Sequence, residues 1–427
     1  MEVKEGYKQT EVGIIPEDWE LVSLDSICSV TSGKRLPYGY YLTESETPYP
    51  YIRVSDMHPG GIITDAIRYV PLEAFPSISQ YRIFKEDLFI SVAGTIGLIG
   101  KIPEFLNGAN LTENANRISK IKCEQDYLLY VLLSPIVRNI IDSFQTVGAQ
   151  PKLALTRIRK FKIPLPLSKK EQTAISTALS DVDTLMDKLD RLIRKKRYLK
   201  KAAMQQLLYG ETRLPGFDGD WELLNMGKSS YLKARIGWQG LTKSEYLEYG
   251  DYCLVTGTDF SEGKINWDGC HFVEKHRYDQ DRYIQLKIGD VLITKDGTIG
   301  KAAYVDTLPF PATLNSGVFV IRPLNDDYVP KFFLYILVSR IFKDFLNKLA
   351  AGSTISHLYQ KDFIGFEFLV PPTKEEQFAI AEVLSEMDDE INILEKRRTK
   401  TADLKQAMMQ ELLTGKTRLV EAGATHA

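Results

Sequence analysis

The sequence predicts an α+β chain built from one unit used twice. It implies two globular parts of mixed α/β character, separated by two long antiparallel coiled-coil helices, with an internal pseudo-twofold repeat. Three observations carry this. The 44 residues from Glu171 to Leu214, EQTAISTALSDVDTLMDKLDRLIRKKRYLKKAAMQQLLYGETRL, return without a gap as Glu376 to Leu419, EQFAIAEVLSEMDDEINILEKRRTKTADLKQAMMQELLTGKTRL. The segments upstream return in the same order but more loosely: PEDWE at 16–20 as DGDWE at 218–222, LFISVAGTIG after Asp87 as VLITKDGTIG after Asp290, and KFKIPLPLSKKEQ at 160–172 as GFEFLVPPTKEEQ at 365–377. Neither 168–209 nor 373–414 contains a proline or glycine, so each reads as one uninterrupted helix.

The helices come first because they are the most regular part of the repeat. Ser168 and Thr373 stand where N-caps belong, and Glu171 and Glu376 follow three residues on, which predicts a capping box in both copies. Gly210 and Gly415 sit at the C-terminal stops. Apolar residues recur at three and four: Ile175, Leu179, Val182, Met186, Leu189 and Ile193 in the first helix, and Ile380, Leu384, Met387, Ile391 and Leu394 in the second. That is a coiled-coil stripe. About 40 residues at roughly 1.5 Å each make a rod of roughly 60 Å. A lone helix cannot bury such a stripe, and the economical solution packs the two copies against each other, antiparallel.

The globular parts come next. Leu88–Ala93 and Val291–Thr294 read as strands that enter a Gly-Thr-Ile-Gly turn, Phe319–Ile321 as a further strand, and Tyr127–Ser134 and Pro330–Asn347 as helices. At 427 residues, with 44% hydrophobic and 11% aromatic residues, there is material for two cores. The apolar runs are strand-sized or short, so no membrane span is expected, and Met1 to Glu20 lacks the apolar run of a secretory signal. Cys28, Cys123, Cys253 and Cys270 are widely spaced and read as reduced thiols of a cytoplasmic protein. The net charge of −2 hides a local imbalance, since 169–210 carries ten Lys/Arg against five Asp/Glu.

Signals for catalysis fail on inspection. The Gly-Lys-Thr at 415–417 follows a helix, and Gln410 stands where the first glycine of a phosphate-binding loop belongs. The turns Gly94–Gly97 and Gly297–Gly300 lack dinucleotide-binding spacing. The histidines His58, His271, His276, His357 and His426 form no zinc motif. No Gly-x-Ser-x-Gly is present, and Pro371-Pro372, flanked by Val370 and Thr373, does not make an adenine methyltransferase motif. The residue pattern therefore predicts no catalytic residue and no metal site. Asp56, Asp259 and Asp296 read as loop residues that either shape a turn or accept from a base.

Taken together, the opening GYKQTEVGIIPEDWE at 6–20, the DGDWE restart, the paired GTIG turns and the endings LLYGETRL and LLTGKTRL resemble the specificity subunits of type I restriction–modification enzymes, over the whole chain. The resemblance implies a non-catalytic subunit that reads a split, asymmetric site in double-stranded DNA with two target recognition domains. It places the first recognition domain at 1–165, a spacer helix at 168–210, the second domain at 215–370, a second spacer helix at 373–415 and a tail at 416–427. It implies two modification (methyltransferase) subunits and two restriction subunits as partners. Those partners would use S-adenosylmethionine, ATP and Mg2+, with no cofactor on this chain. A base-reading surface needs phosphate clamps and groove readers on loops. In the first domain the candidates are Lys34, Arg35, Arg53, Ser55, Asp56, Thr95, Asn114, Asn116, Gln150 and Lys152. In the second they are Lys233, Arg235, Trp238, Gln239, Thr258, Asp259, Lys295, Thr298, Ser353 and His357. Two other readings stand beside this one: a specificity-like subunit of a methylation-only system, and a protein-only scaffold of two globular domains on a coiled coil.

Overall fold

The computed structural model of the chain describes residues 4–143, 152–237, 240–350 and 357–420. It divides into two compact units: 1–190 with 397–427, and 191–396. Both long helices, Lys169–Leu208 and Lys374–Leu412, therefore begin in one unit and end in the other.

In the first unit a four-stranded antiparallel sheet runs in the order Ser29–Ser32, Ala115–Ser119, Leu88–Ser91, Ile99–Lys101. A second, mixed sheet runs Arg68–Tyr69, Pro50–Ile52, Ala109–Leu111, Arg82–Ile83, its central pair parallel. Trp19–Ser23 pairs antiparallel with Lys162–Pro166, so the chain enters and leaves the domain side by side. The all-buried pattern of Leu88–Ser91 follows from its position inside the sheet. One face packs on the helices Gln125–Leu133 and Pro135–Ser143 and on Ile175, Leu179, Leu412 and Leu413 of the long helices.

The second unit repeats the plan. Its four-stranded sheet runs Ser230–Ala234, Val318–Pro323, Val291–Thr294, Ala302–Tyr304, the same order as in the first. A three-stranded sheet runs His271–Val273, Tyr252–Val255, Ala312–Leu314, again with a parallel pair. Glu222–Asn225 pairs with Glu367–Val370. The core is rich in aromatics, among them Phe332, Phe333, Phe342, Phe363, Phe366 and Phe368. The single helix expected over 330–347 is two, Pro330–Val338 and Arg340–Ala350. Ser339 interrupts it: its hydroxyl donates to Ile336 O at 2.7 Å and accepts from Ile341 N–H at 3.1 Å. Ser134 ends the matching helix in the first unit with the same bond to Val131 O, at 2.6 Å. A serine that offers the backbone an alternative partner breaks a helix without a glycine.

Within each unit the long helices run antiparallel. In the first, Lys405 meets Asp183 at 2.6 Å and Arg398 meets Asp190 at 3.2 Å. In the second, Lys196 meets Glu390 at 2.6 Å and Lys200 meets Asp388. Of the apolar stripe, Ile175, Leu179, Leu189, Ile193, Ile380, Leu384 and Ile391 are buried, and Val182, Met186, Met387 and Leu394 are half-buried. Gly210 and Gly415 end the helices with φ of +68° and +69°, the left-handed turn that a side chain resists.

The capping box takes a different form from the one expected. Thr373 Oγ1 accepts from Glu376 N–H at 3.4 Å, but the Glu376 carboxylate turns to Arg213, which forks onto it at 2.6 Å through both Nε and Nη2. Arg418 grips Glu171 in the same way and also reaches Asp18. A bidentate arginine outcompetes a backbone N–H for a buried carboxylate. The end of each long helix is thus clasped to the start of the other. Gln172 and Gln377 repeat one another too: each accepts from a backbone N–H at the start of a domain helix, Glu124 or Val329, and donates to the proline carbonyl of the strand exit.

Candidate nucleic-acid interface

At one end of the sheets in the first unit, five loop segments converge. Lys34 N–H bonds to Leu111 O at 2.8 Å, and Thr112 N–H to Ile52 O at 3.1 Å. Val92 N–H bonds to Asn114 O at 2.7 Å, and Leu153 N–H to Val92 O at 3.0 Å. The second unit repeats three of these ties: Asn315 N–H to Val255 O at 3.0 Å, Lys295 N–H to Gly317 O at 2.9 Å, and Leu358 N–H to Lys295 O at 2.8 Å. The strands deliver the loops, and backbone bonds lock them together. Side chains at the tips are then free to vary.

Two of the loops have a repeated internal design. After Tyr51-Ile52 the chain makes a 3-10 turn in which Asp56 accepts from Arg53 N–H at 2.8 Å; in the other unit Asp259 accepts from Thr256 N–H at 2.7 Å. Asp56 and Asp259 are buried, so their carboxylates hold the turn, and Ser55 and Thr258 stand exposed on it. The GTIG turns are closed by the last hydroxyl of the preceding strand: Ser91 Oγ donates to Thr95 O at 2.6 Å, and Thr294 Oγ1 to Thr298 O at 2.5 Å. Thr95 and Thr298 are exposed.

The sequence candidates fall into four groups. Lys34, Arg35, Ser55, Thr95, Lys152, Thr258 and Thr298 are exposed on the converging loops, with Arg53, Asn114, Lys295 and His357 half-buried among them. Asp56, Asn116, Arg235 and Asp259 are buried. Arg235 gives its guanidinium to Leu314 O at 2.8 Å and Thr313 Oγ1 at 3.1 Å, and burial pushes its pKa down. Lys233 is exposed but stands on the strand Ser230–Ala234, its ammonium 5.6 Å from the Tyr231 ring, and is not among the loop ties. Gln150, Trp238, Gln239 and Ser353 lie outside the described residues.

Charge at the loops is managed differently in the two units. Arg35 pairs with Glu113 at 3.1 Å, and Arg53 forks onto Asp56. In the second unit the Asp296 carboxylate is shared by Lys295, at 3.2 Å, and by the ring of His357, with a β-bridge joining 296 to 357 as well. Sequence reasoning passed over Glu113, Asn315 and Tyr246, whose hydroxyl accepts from Asn315 Nδ2 at 3.3 Å. Their partners lie 69 or more residues away or on another loop, so no local spacing announces them. Among the described residues no cluster of three or more His, Cys, Asp or Glu could hold a metal, and no helix is long and apolar enough to cross a membrane.

Comparison with known proteins gives the site its context. Residues 16–196 and 239–403 match the model of the type I restriction modification DNA specificity domain. A Methanocaldococcus jannaschii chain assigned as the MjaX type I specificity subunit is 29% identical over 433 residues, covering 97% of each chain. The MjaVIII specificity subunit of the same organism is 26% identical over the same share. Among solved structures, the type I S subunit from M. genitalium superposes with a TM-score of 0.60 at 15% identity, over 96% of this chain and 98% of that one. The chain belongs to the type I restriction–modification DNA specificity family, as a non-catalytic specificity subunit.

Proposed function

From that membership we propose that this subunit reads a bipartite, asymmetric site in double-stranded DNA. The loops of the first domain, 1–165, read one half and those of the second, 215–370, read the other. The helices 168–210 and 373–415 hold the domains and offer two like surfaces to two modification subunits; two restriction subunits complete the assembly. The partners supply S-adenosylmethionine, ATP and Mg2+ chemistry, and this chain supplies address and scaffold.

One observation carries the reading. The helical frame and the turn closures repeat down to individual hydrogen bonds, whereas other equivalent loop positions do not: Arg53 against Thr256, Val92-Ala93 against Lys295-Asp296, and Lys152 against His357. A protein that holds two copies of one partner while reading two unlike half-sites needs that division. Joining two modest readers raises effective concentration and multiplies discrimination. In this reading Lys34, Arg35 and Lys152 of the first domain take phosphate or guanine, and Ser55, Thr95 and Asn114 base edges; Thr258, Lys295, Thr298 and His357 serve in the second.

The test is a genome-wide map of adenine methylation in the host, with and without this gene. The expected result is loss of one split motif, two short unlike halves around a fixed spacer. An unchanged map with the gene expressed overturns the reading and favours a protein-only scaffold.

A further inference from the structure

The most exposed aromatic surface of the first unit lies beside the recognition loops. Tyr38 is fully exposed, at 105%, and Tyr41 is 84% exposed, with Tyr40 at 44%. Single exposed apolar residues are ordinary. Three tyrosines within four positions, on a loop built to hold them out, are not.

The loop is rigid by construction. At its base Gly33 N–H bonds to Ala115 O at 3.0 Å and Lys34 N–H to Leu111 O at 2.8 Å, while Tyr51 Oη donates to Lys34 O at 2.9 Å. The returning limb is held by Thr43, which exchanges both backbone bonds with Tyr69 at 3.0 Å. Leu36 and Leu42, on either side of the apex, pack into the small core of Tyr51, Val70, Ala74 and Ile78. Between them Pro37-Tyr38-Gly39-Tyr40 makes a β-turn closed by Tyr40 N–H to Pro37 O at 3.2 Å. Gly39 takes φ +89°, the position of a type II turn that glycine fills. Two apolar anchors and a closed turn thus present Tyr38 at an apex, fully exposed among the described residues.

The chemistry next to the apex indicates what it meets. Lys34 and Arg35 lead into the loop, both exposed, and Arg35 makes a surface pair with Glu113. On the returning limb Glu44 is bound by Arg68. Cations beside exposed tyrosine rings match a phosphate backbone flanking stacked bases and sugars, whereas an apolar protein partner has no use for the cations. Resting on the DNA-reading role proposed above, we infer that the loop 36–42 is a rigid aromatic finger that places Tyr38 against the duplex at the edge of the first half-site, with Lys34 and Arg35 clamping the adjacent phosphates.

The test uses the full chain purified with its modification subunits, on a duplex carrying the split motif that methylation mapping returns. Tyr38→Ala is expected to weaken binding roughly tenfold, and Tyr38→Phe to keep most of the affinity. Because a ring contact releases no counterions, Tyr38→Ala leaves the salt dependence unchanged, whereas Lys34→Ala lowers the slope of log K against log salt by about one. A 2-aminopurine placed at the outer edge of the first half-site brightens or quenches with the wild type but not with Tyr38→Ala, and one in the second half-site does not distinguish them. Unchanged affinity and fluorescence in Tyr38→Ala, with wild-type binding intact, overturn the finger but leave the DNA-reading role standing. Loss of modification subunits from the purified Tyr38→Ala complex also overturns it, because the loop would then serve a protein contact. Failure of the wild-type complex to bind the mapped motif sinks the DNA-reading role itself.

Discussion

The two units are nearly the same object where they meet the long helices and different objects at their loop tips. In the frame, the clasps Arg418–Glu171 and Arg213–Glu376, the tyrosine bonds to Asp183 and Asp388, and the glutamine bridges of Gln172 and Gln377 correspond one for one. At the tips, the first unit presents Lys34 and Arg35 where the second buries Arg235, and the second joins Asp296 to His357 where the first carries Ala93 and Lys152. The teaching is physical. A buried carboxylate needs one partner in one geometry, so drift there is costly. A solvated tip needs only a sound backbone beneath it, so its chemistry can change.

The largest test of that equivalence strikes the clasps. Glu171 and Glu376 are fully buried, at 2% and 0%, and removing the arginine leaves a charge unpaired. Arg418→Ala is expected to cost about 3 kcal/mol or more in unfolding free energy, measured by urea denaturation, and Arg213→Ala to lower the urea midpoint to a like extent. Losses differing by more than about 1 kcal/mol break the claim that the frames are interchangeable.

Next comes the division of labour at the loops. His357→Ala removes the imidazole from Asp296, and Arg35→Ala removes a first-unit cation. Methylation mapping should show the first substitution relaxing only one half of the motif and the second only the other, each by about 1–3 kcal/mol of discrimination. Relaxation of both halves by either one ends the one-domain, one-half-site assignment.

A smaller effect sharpens the frame comparison. Tyr130 Oη donates to Asp183 at 2.8 Å and Tyr335 Oη to Asp388 at 3.0 Å, and burial raises both phenol pKa values. Each Tyr→Phe should cost about 1 kcal/mol, and the two should match.

The smallest expected effect is kinetic. Burial pushes the thiols of Cys28 up to about 12 and Cys123 up to about 11; in the other unit the contact with Cys253, together with burial, raises Cys270. With so little thiolate at pH 8, labelling of all three by a disulfide reagent should be slow in the native chain and fast in urea. Rapid native labelling of one unit alone would show that its core opens more readily.

Much of this architecture was open to a reader of the sequence. The helices expected over 168–209 and 373–414 are found at Lys169–Leu208 and Lys374–Leu412, and the strands entering the GTIG turns lie where the β-rich runs put them. The site was legible as a set of loops and less so as a set of side chains. Asp56 and Asp259 look like readers in a one-dimensional pattern, but they sit under the turn as its acceptors. Lys233 looks equivalent to Lys34, but it belongs to a strand.

The period of the chain was legible because one long segment, Glu171 to Leu214, returns as Glu376 to Leu419, and the helices with their apolar stripe because those depend on residues three, four or seven apart. It took the folded chain to settle that Glu171 is held by Arg418 and Glu376 by Arg213, that Arg235 is buried while Lys34 stays in water, and that loops from separate parts of the sequence are tied together in each domain. Those outcomes depend on groups from about 60 to about 250 residues apart competing for the same hydrogen bonds, and that competition is settled only when burial removes water as the alternative partner.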